Sequence, residues 1–320
     1  MSLPLEERVS ASGAAARDGD MPVLSDPERQ FQRNYNRHTF AFPHGLTDHP
    51  LFELSSLVEL ARRPFHHEAY WSNGKVDAND PWEINRDARL SLVDTIANIG
   101  DNNSLVILKH VEQDPVYGPV LQEILARVVA FSGEQMRQEV LVGEVLILIA
   151  SPNRLTSYHM DAECNFLVQV AGSKTFFVYD HTDPTLVSDE EREQYQIGNH
   201  NSIVYQESRQ CEATAYELHA GYGVHVPVFA PHWARNHDNV SVALSVNYEL
   251  RPMARRKTNI PGEQLAAQIG GRPDSARHFS LARPLKARRR ERPLCRPRAH
   301  SAQADISGLD ASVSRFSVGE

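Results

Sequence analysis

The sequence predicts an α+β fold, a β-barrel with helices packed ahead of it and against its outside, in one domain spanning 26–252. Three observations predict it. Apolar residues recur at helical spacing in the first half, in LSSLVELA, in LSLVDTIANI (90–99) and in the stretch after Asp114. Runs rich in β-branched and aromatic residues fill the second half, FLVQV, KTFFVY and VHVPV among them. A further run, NVSVALSVNYEL (239–250), alternates with period two: Ser241, Ala243, Ser245 and Asn247 share one face, Val240, Val242, Leu244 and Val246 the other. Helices outside a sheet that closes on itself suit that order of elements. At 320 residues and 41% hydrophobic, the chain can bury one substantial core.

Residues 1–25, rich in Ala, Ser, Gly and charge, read as disordered, and their acidic residues and lack of an apolar stretch argue against a secretory signal. The helix in LSSLVELARRP stops at Pro64, and His66, His67, Tyr70 and Trp71 crowd behind it, an aromatic cap on a core edge. SLVILKHV (104–111) reads as a strand. Asp114 is the expected N-cap of the next helix, ahead of Pro115. EVLVGEVLILIAS supplies one or two strands, and FLVQV and KTFFVY, joined by AGS, read as a hairpin. Between Asp180 and Glu217 lies a polar insertion, long enough to serve as a lid or a substrate contact; its SDEEREQY run reads as a solvated helix face. Gly221 and Gly223 give a tight entry into VHVPV. On the NVSVALSVNYEL strand, the small-residue face leaves room for a bound ligand, and the Val/Leu face packs elsewhere.

No run of about 18 apolar residues occurs, so no membrane span is expected. Cys164, Cys211 and Cys295 are odd in number and lack CxxC spacing, which favours a reducing cytoplasmic setting, with Cys164 as a small buried apolar residue. Beyond 252 the character changes: residues 251–298 hold 14 Lys and Arg against 3 Asp and Glu. This basic tail, 253–320, is expected to be partly helical or disordered. GEQLAAQIGG is a candidate helix for packing on the barrel or on a second subunit in a homodimer, and the Arg-rich KARRRERP for contact with nucleic acid or acidic protein surfaces.

The chemistry concentrates near 159. His159 and Asp161 are two apart, and on a strand such residues project from one face. His232, after the VHVPV run, is the candidate third ligand. Two imidazoles and one carboxylate on one side of an octahedral ion leave positions open for a cosubstrate and dioxygen, the arrangement of non-haem Fe(II) oxygenases. Zinc competes for the same ligands. His66, His67, His200, His219, His225 and His237 read as surface residues or neighbours of the site, with His225 or His237 the spare third ligand.

With these residues in place, the chain resembles the JmjC and cupin-like 2-oxoglutarate oxygenases, most closely the factor-inhibiting-HIF branch. The family has a Thr three before its first His, a Lys fifteen after it, and an Asn fifteen after its second; the offsets fall here on Thr156, Lys174 and Asn247. Asn165 matches the family's Asn shortly after the Asp. The resemblance spans Val140 to Glu249 and leaves the family's cosubstrate-binding Tyr unplaced. It implies a double-stranded β-helix (jelly-roll, cupin or JmjC-like) core, Fe(II) on His159, Asp161 and His232, and the distal carboxylate of 2-oxoglutarate on Thr156 and Lys174. Asn165 and Asn247 would line the pocket. The implied reaction hydroxylates an unactivated C–H bond of a protein or peptide side chain or a small metabolite, releasing succinate and CO2. Physical reasoning agrees on one point: a buried dicarboxylate needs a cation, and Lys174 supplies one beside the Thr156 hydroxyl. The alternative, a non-catalytic cupin-fold binding or transcription-regulatory protein using the basic tail, predicts a degraded ligand set. A zinc or manganese hydrolase or isomerase leaves Lys174 and Thr156 without evident purpose.

Overall fold

The computed structural model describes residues 22–63, 68–81, 90–258 and 298–301. Three short strands come first, β1 (Phe40–Pro43), β2 (Tyr70–Ser72) and β3 (Leu105–Leu108). The second half then runs β4 (Val140–Ala150), β5 (Leu155–His159), β6 (Cys164–Ala171), β7 (Ser173–Val178), β8 (Thr214–His219), β9 (Tyr222–Val226), β10 (His232–Asn236) and β11 (Ser241–Leu250). The larger sheet has the order β1-β9-β6-β11-β4-β3-β2. The smaller is β12-β8-β7-β10-β5, where β12 (Arg298–Ser301) lies parallel on the edge of β8. All other pairings are antiparallel. From β4 to β11 the chain changes sheet at every step except β7 to β8, which is the winding of a double-stranded β-helix. The fold is therefore an antiparallel β-sandwich with a few helices outside, the α+β class that the sequence predicts.

That winding corrects the hairpin reading. β6 and β7 do not pair: β6 lies between β9 and β11, while β7 lies between β8 and β10. AGS is a corner between sheets. Gly172 turns it with φ +72, and a Cβ there would run into the Val240 carbonyl and the Asn239 side chain. Gly172→Ala is thus expected to destabilise the protein by at least about 2 kcal/mol, left-handed backbone and clash together, read as a lower urea midpoint. A shift below about 0.5 kcal/mol would mean that the corner yields without cost.

The two faces of β11 separate as the alternation predicts. Val242, Leu244 and Val246 join Phe166, Val168 and the helices in the outer core, whereas Ala243 joins Leu167, Phe176, Val178, Val224 and Ala234 between the sheets. The helices ahead of β4 are α1 (Gln30–Asn34), α2 (Leu54–Ala61), α3 (Leu92–Ala97), α4 (Gly118–Ser132) and α5 (Glu134–Glu139). α4 buries Leu121, Ile124, Leu125 and Val128, each worth about 1.5–3 kcal/mol of removed apolar surface.

Asp114 caps, but not where expected. Its carboxylate accepts the N–H groups of Val116 and Tyr117 and pairs with Arg63 at 2.7 Å, while α4 itself starts at Gly118 with Pro119 in its first turn. EVLVGEVLILIAS is one long strand, β4, reached from α5. The ordered body also begins before Asp26: Leu24 is fully buried, and the Ser25 N–H donates to the Pro43 carbonyl. At the other end, α7 (Arg251–Thr258) continues from β11, and β12 is a strand within the stretch expected to be helical or disordered. Residues 1–21, Pro64, His66, His67, GEQLAAQIGG, KARRRERP and Cys295 lie outside the described residues. Among the described residues no helix is long and apolar enough to cross a membrane.

Candidate metal centre

β10 lies antiparallel beside β5 with His232 directly opposite His159, and the two rings sit 4.1 Å apart, centroid to centroid. Asp161 reaches them differently from the expected strand alternation. β5 ends at His159, and Asp161 follows in the bend. What holds it is a bond across the site: the Phe229 N–H donates to the Asp161 carbonyl at 2.7 Å, tying the bend to the turn that precedes His232. Asp161 Oδ2 then lies 3.5 Å from His232 Nε2 and 3.9 Å from His159 Nε2, and one ligand atom from each residue falls within 4.8 Å of the others.

Both imidazoles are aimed by their other nitrogens. His159 Nδ1–H donates to the Ser157 carbonyl at 2.7 Å and His232 Nδ1–H to the Ala230 carbonyl at 2.9 Å. A proton held at Nδ1 leaves the Nε2 lone pair facing Asp161, as a metal ligand requires. Burial, helped by the neighbouring His159, pulls the His232 pKa down to about 4, so the ring is neutral at physiological pH. Two neutral nitrogens and one carboxylate on one side are a donor set that fits a divalent first-row ion.

Thr156 is three before His159 and would face the other way on a regular strand. A bulge corrects this, since two steps on β10, from His232 to Ala234, oppose three on β5, from His159 to Thr156. Thr156 thereby shares the inner face with both histidines. Lys174 on β7 pairs with Asn236, two residues beyond Ala234, and so faces inward as well. It is 6% exposed, and burial alone pulls its pKa down to about 8, no ion pair engaging it among the described residues. Asn165 and Asn247 face each other on the inner wall of the larger sheet: Asn165 Nδ2 donates to Asn247 Oδ1 at 2.5 Å and to Ser245 Oγ at 2.6 Å. All seven of these residues thus lie on or beside the space between the sheets.

Charge is polarised along that space. Glu163 lies two before Asn165 and Glu249 two beyond Asn247; Glu249 acts on Glu163 through space together with Glu144, which stands opposite Asn247. Burial and the nearby Asp161 push Glu163 up to about 7, and burial raises Glu144 too. The triad end is acidic, while the cation Lys174 stands at the far end.

Several residues escape the sequence reading. Tyr70, expected at a core edge, lines a small cleft with Ser72, Leu105, Arg154 and Thr156 between the β2 edge of one sheet and the β5 edge of the other. Tyr195, on α6 (Asp189–Gln196), packs against Phe229 5.9 Å away, and the charges of Asp161 and Glu163 help burial to push its hydroxyl pKa up. The polar insertion therefore packs against the turn that precedes His232. α6 begins with a capping box at Ser188 and Glu191, a signal legible in SDEEREQY.

The other histidines are corrected in part. His225 is neither a surface residue nor a spare ligand: fully buried on the outward face of β9, it stacks on Phe166 at 4.3 Å, accepts the Asn36 N–H and donates to the Asn165 carbonyl. Burial takes its pKa to about 3. His237 is engaged by Ser173, Thr175 and Glu217, away from the triad. His200 and His219 are exposed. Cys164 is buried and free, as expected, and Cys211 is free.

No protein-family model and no curated protein matches the sequence. Among solved structures, Escherichia coli ycfD aligns at 14% identity and a TM-score of 0.49, over 82% of this chain and 63% of that one. A second structure of it, described as the ribosomal oxygenase YcfD in complex with cobalt and 2-oxoglutarate, gives 12% identity and 0.48, over 82% and 62%. A Lactobacillus farciminis oxalate decarboxylase formate complex aligns at 14% and 0.23, over 41% and 32%. The chain thus spans less than two thirds of the ycfD chain it resembles.

Proposed function

We propose that this protein is an Fe(II)- and 2-oxoglutarate-dependent oxygenase that hydroxylates an unactivated C–H bond of a protein or peptide side chain or a small metabolite, releasing succinate and CO2. The observation that carries the reading is the pairing of two features inside one sandwich: the convergence of His159, Asp161 and His232, and a buried lysine without a counter-charge among the described residues at the other end of the same space. A bound ferrous ion supplies the redox chemistry that couples dioxygen to oxidation of the cosubstrate and the acceptor. His159, Asp161 and His232 hold that ion on one side, leaving the opposite side open. Lys174 and the Thr156 hydroxyl take the far carboxylate of 2-oxoglutarate, with Tyr70 in the adjoining cleft and Asn165 and Asn247 on the facing wall. The acidic rim keeps a dianion from binding in reverse, since Glu144, Glu163 and Glu249 repel it where Lys174 attracts it. Tyr195 and the 180–213 insertion shield the metal side and meet the acceptor.

The binding-protein alternative predicts eroded ligands, yet the ligand set and the lysine are complete. A zinc or manganese hydrolase or isomerase leaves the Lys174 charge unanswered. Within the family, the Thr156, Lys174 and Asn247 spacing favours the factor-inhibiting-HIF branch, and the free cysteines favour the cytoplasm. Anaerobic addition of Fe(II) and 2-oxoglutarate is expected to give a weak visible charge-transfer absorption that His159→Ala lacks. Aerobic incubation then releases succinate from the wild type. No absorption and no succinate from metal-loaded wild type would overturn the assignment in favour of the binding protein.

A further inference from the structure

We propose that Arg154 is a second buried cation for the far carboxylate of the cosubstrate, acting with Lys174 so that the site selects a dianion; this rests on the 2-oxoglutarate reading above. Arg154 is 4% exposed. Its guanidinium donates to the carbonyls of Gly74 and Asn103 and to Ser72 Oγ, all on the far side of the opening between the sheets. Those partners are neutral. Asp80 acts on it through space without forming an ion pair, and Nε–H is buried with no hydrogen-bond partner among the described residues. A buried cation with no ion pair among the described residues and one donor unmet is costly to keep, because each unmet donor forfeits its hydration. A carboxylate arriving at Nε satisfies both needs.

Position points to the same ligand. Arg154 is two before Thr156, and both line the cleft with Tyr70 and Ser72. The Asn236 N–H donates to the Arg154 carbonyl, and Asn236 pairs with Lys174, so the two cations flank Asn236 from the strands on either side. Their backbones are two strand spacings apart, roughly 10 Å. Thr156, two residues on from Arg154, lies opposite Ala234 on the neighbouring strand. Arginine suits the role because its planar fork can hold a carboxylate while its other N–H groups stay anchored on Gly74, Asn103 and Ser72.

The test is calorimetric binding of 2-oxoglutarate and of its far-end amide, 2-oxoglutaramate, to Mn(II)-loaded protein, in which nothing turns over. Wild type is expected to prefer the dianion by roughly a hundredfold or more, and Arg154→Gln to lower that ratio by about tenfold. Lys174→Met should lower it separately, leaving a residual preference due to Arg154. Loss of the loop anchors alone would lower the melting temperature and leave the ratio unchanged, so the ratio separates a ligand contact from a structural clamp. Should Arg154→Gln not fold, Arg154→Met serves, and a wild-type ratio in either folded variant overturns the proposal. So does a Lys174→Met protein with no preference left. If wild type binds neither compound, the cosubstrate reading itself fails, an outcome distinct from binding with an unaltered ratio.

Discussion

Lys174→Met is expected to stabilise the ligand-free protein while weakening 2-oxoglutarate binding by roughly a hundredfold. The two effects have one cause. Lys174 is 6% exposed, and desolvation pulls its pKa from 10.5 to about 8 in the folded protein. That depression corresponds to about 3 kcal/mol of unfavourable interaction with the charged form. The sign follows from proton counting. Between about pH 8 and 10.5 the unfolded chain binds the proton and the folded one does not, so stability rises with pH across that window. Below pH 8 the folded protein carries the whole cost. Methionine keeps the stem and removes the charge, so at pH 7 the variant should melt a few degrees higher. A bound dicarboxylate supplies the missing counter-charge, so wild-type affinity should fall as pH rises through about 8, whereas the Met variant should show no such step. Thermal melts with and without 2-oxoglutarate from pH 6 to 9.5 measure both effects. A less stable variant with undiminished affinity would make the lysine structural and remove the main support for a dicarboxylate site.

The residues that answer to period-two alternation were legible in the sequence. Ser241, Ala243, Ser245 and Asn247 face the space between the sheets, and Val242, Leu244 and Val246 face the helices, because the apolar side must pack against the outer core while small and polar side chains take the other. His159, Asp161 and His232 were candidates from their own types and spacing, Thr156, Lys174, Asn165 and Asn247 from the resemblance, and the ligand atoms of the first three fall within 4.8 Å of one another. How they meet was not legible. Alternation alone puts Thr156 opposite His159, and only the bulge against β10 returns it to the same face. Asp161 lies off the strand and is held by Phe229, sixty-eight residues away, a bond that no local pattern encodes. AGS reads as a hairpin because small residues suit any tight turn, and whether it closes a ladder or crosses between sheets depends on strands not yet reached at that point in the chain. His225 read as a surface residue or a neighbour of the site because its partners, Asn36 and Asn165, are distant in sequence, and only the assembled sheet satisfies both ring nitrogens.

Asp161→Ala is expected to reduce divalent-metal affinity by more than about a hundredfold, beyond the range seen when a mere supporting residue is removed, and to leave the metal-free fold intact. The asymmetry comes from what the side chain does in each state. Its carboxylate is the only anion among the three ligands, so without it two neutral imidazoles remain, a weak site for an ion that prefers a hard oxygen donor. The bond that positions the bend uses the Asp161 backbone carbonyl, which alanine retains. In the metal-free protein, moreover, the carboxylate lies beside Glu163, whose own pKa it raises, so its removal relieves repulsion. The melting temperature without metal should therefore hold or rise slightly, and the increase produced by Mn(II) or Co(II) in wild type should vanish. Glu163→Gln is the control, because it removes a neighbouring charge without removing a ligand and should keep that increase. If Asp161→Ala were stabilised by metal as strongly as wild type, the ion would be binding elsewhere, and His159 and His232 would be two imidazoles that happen to meet.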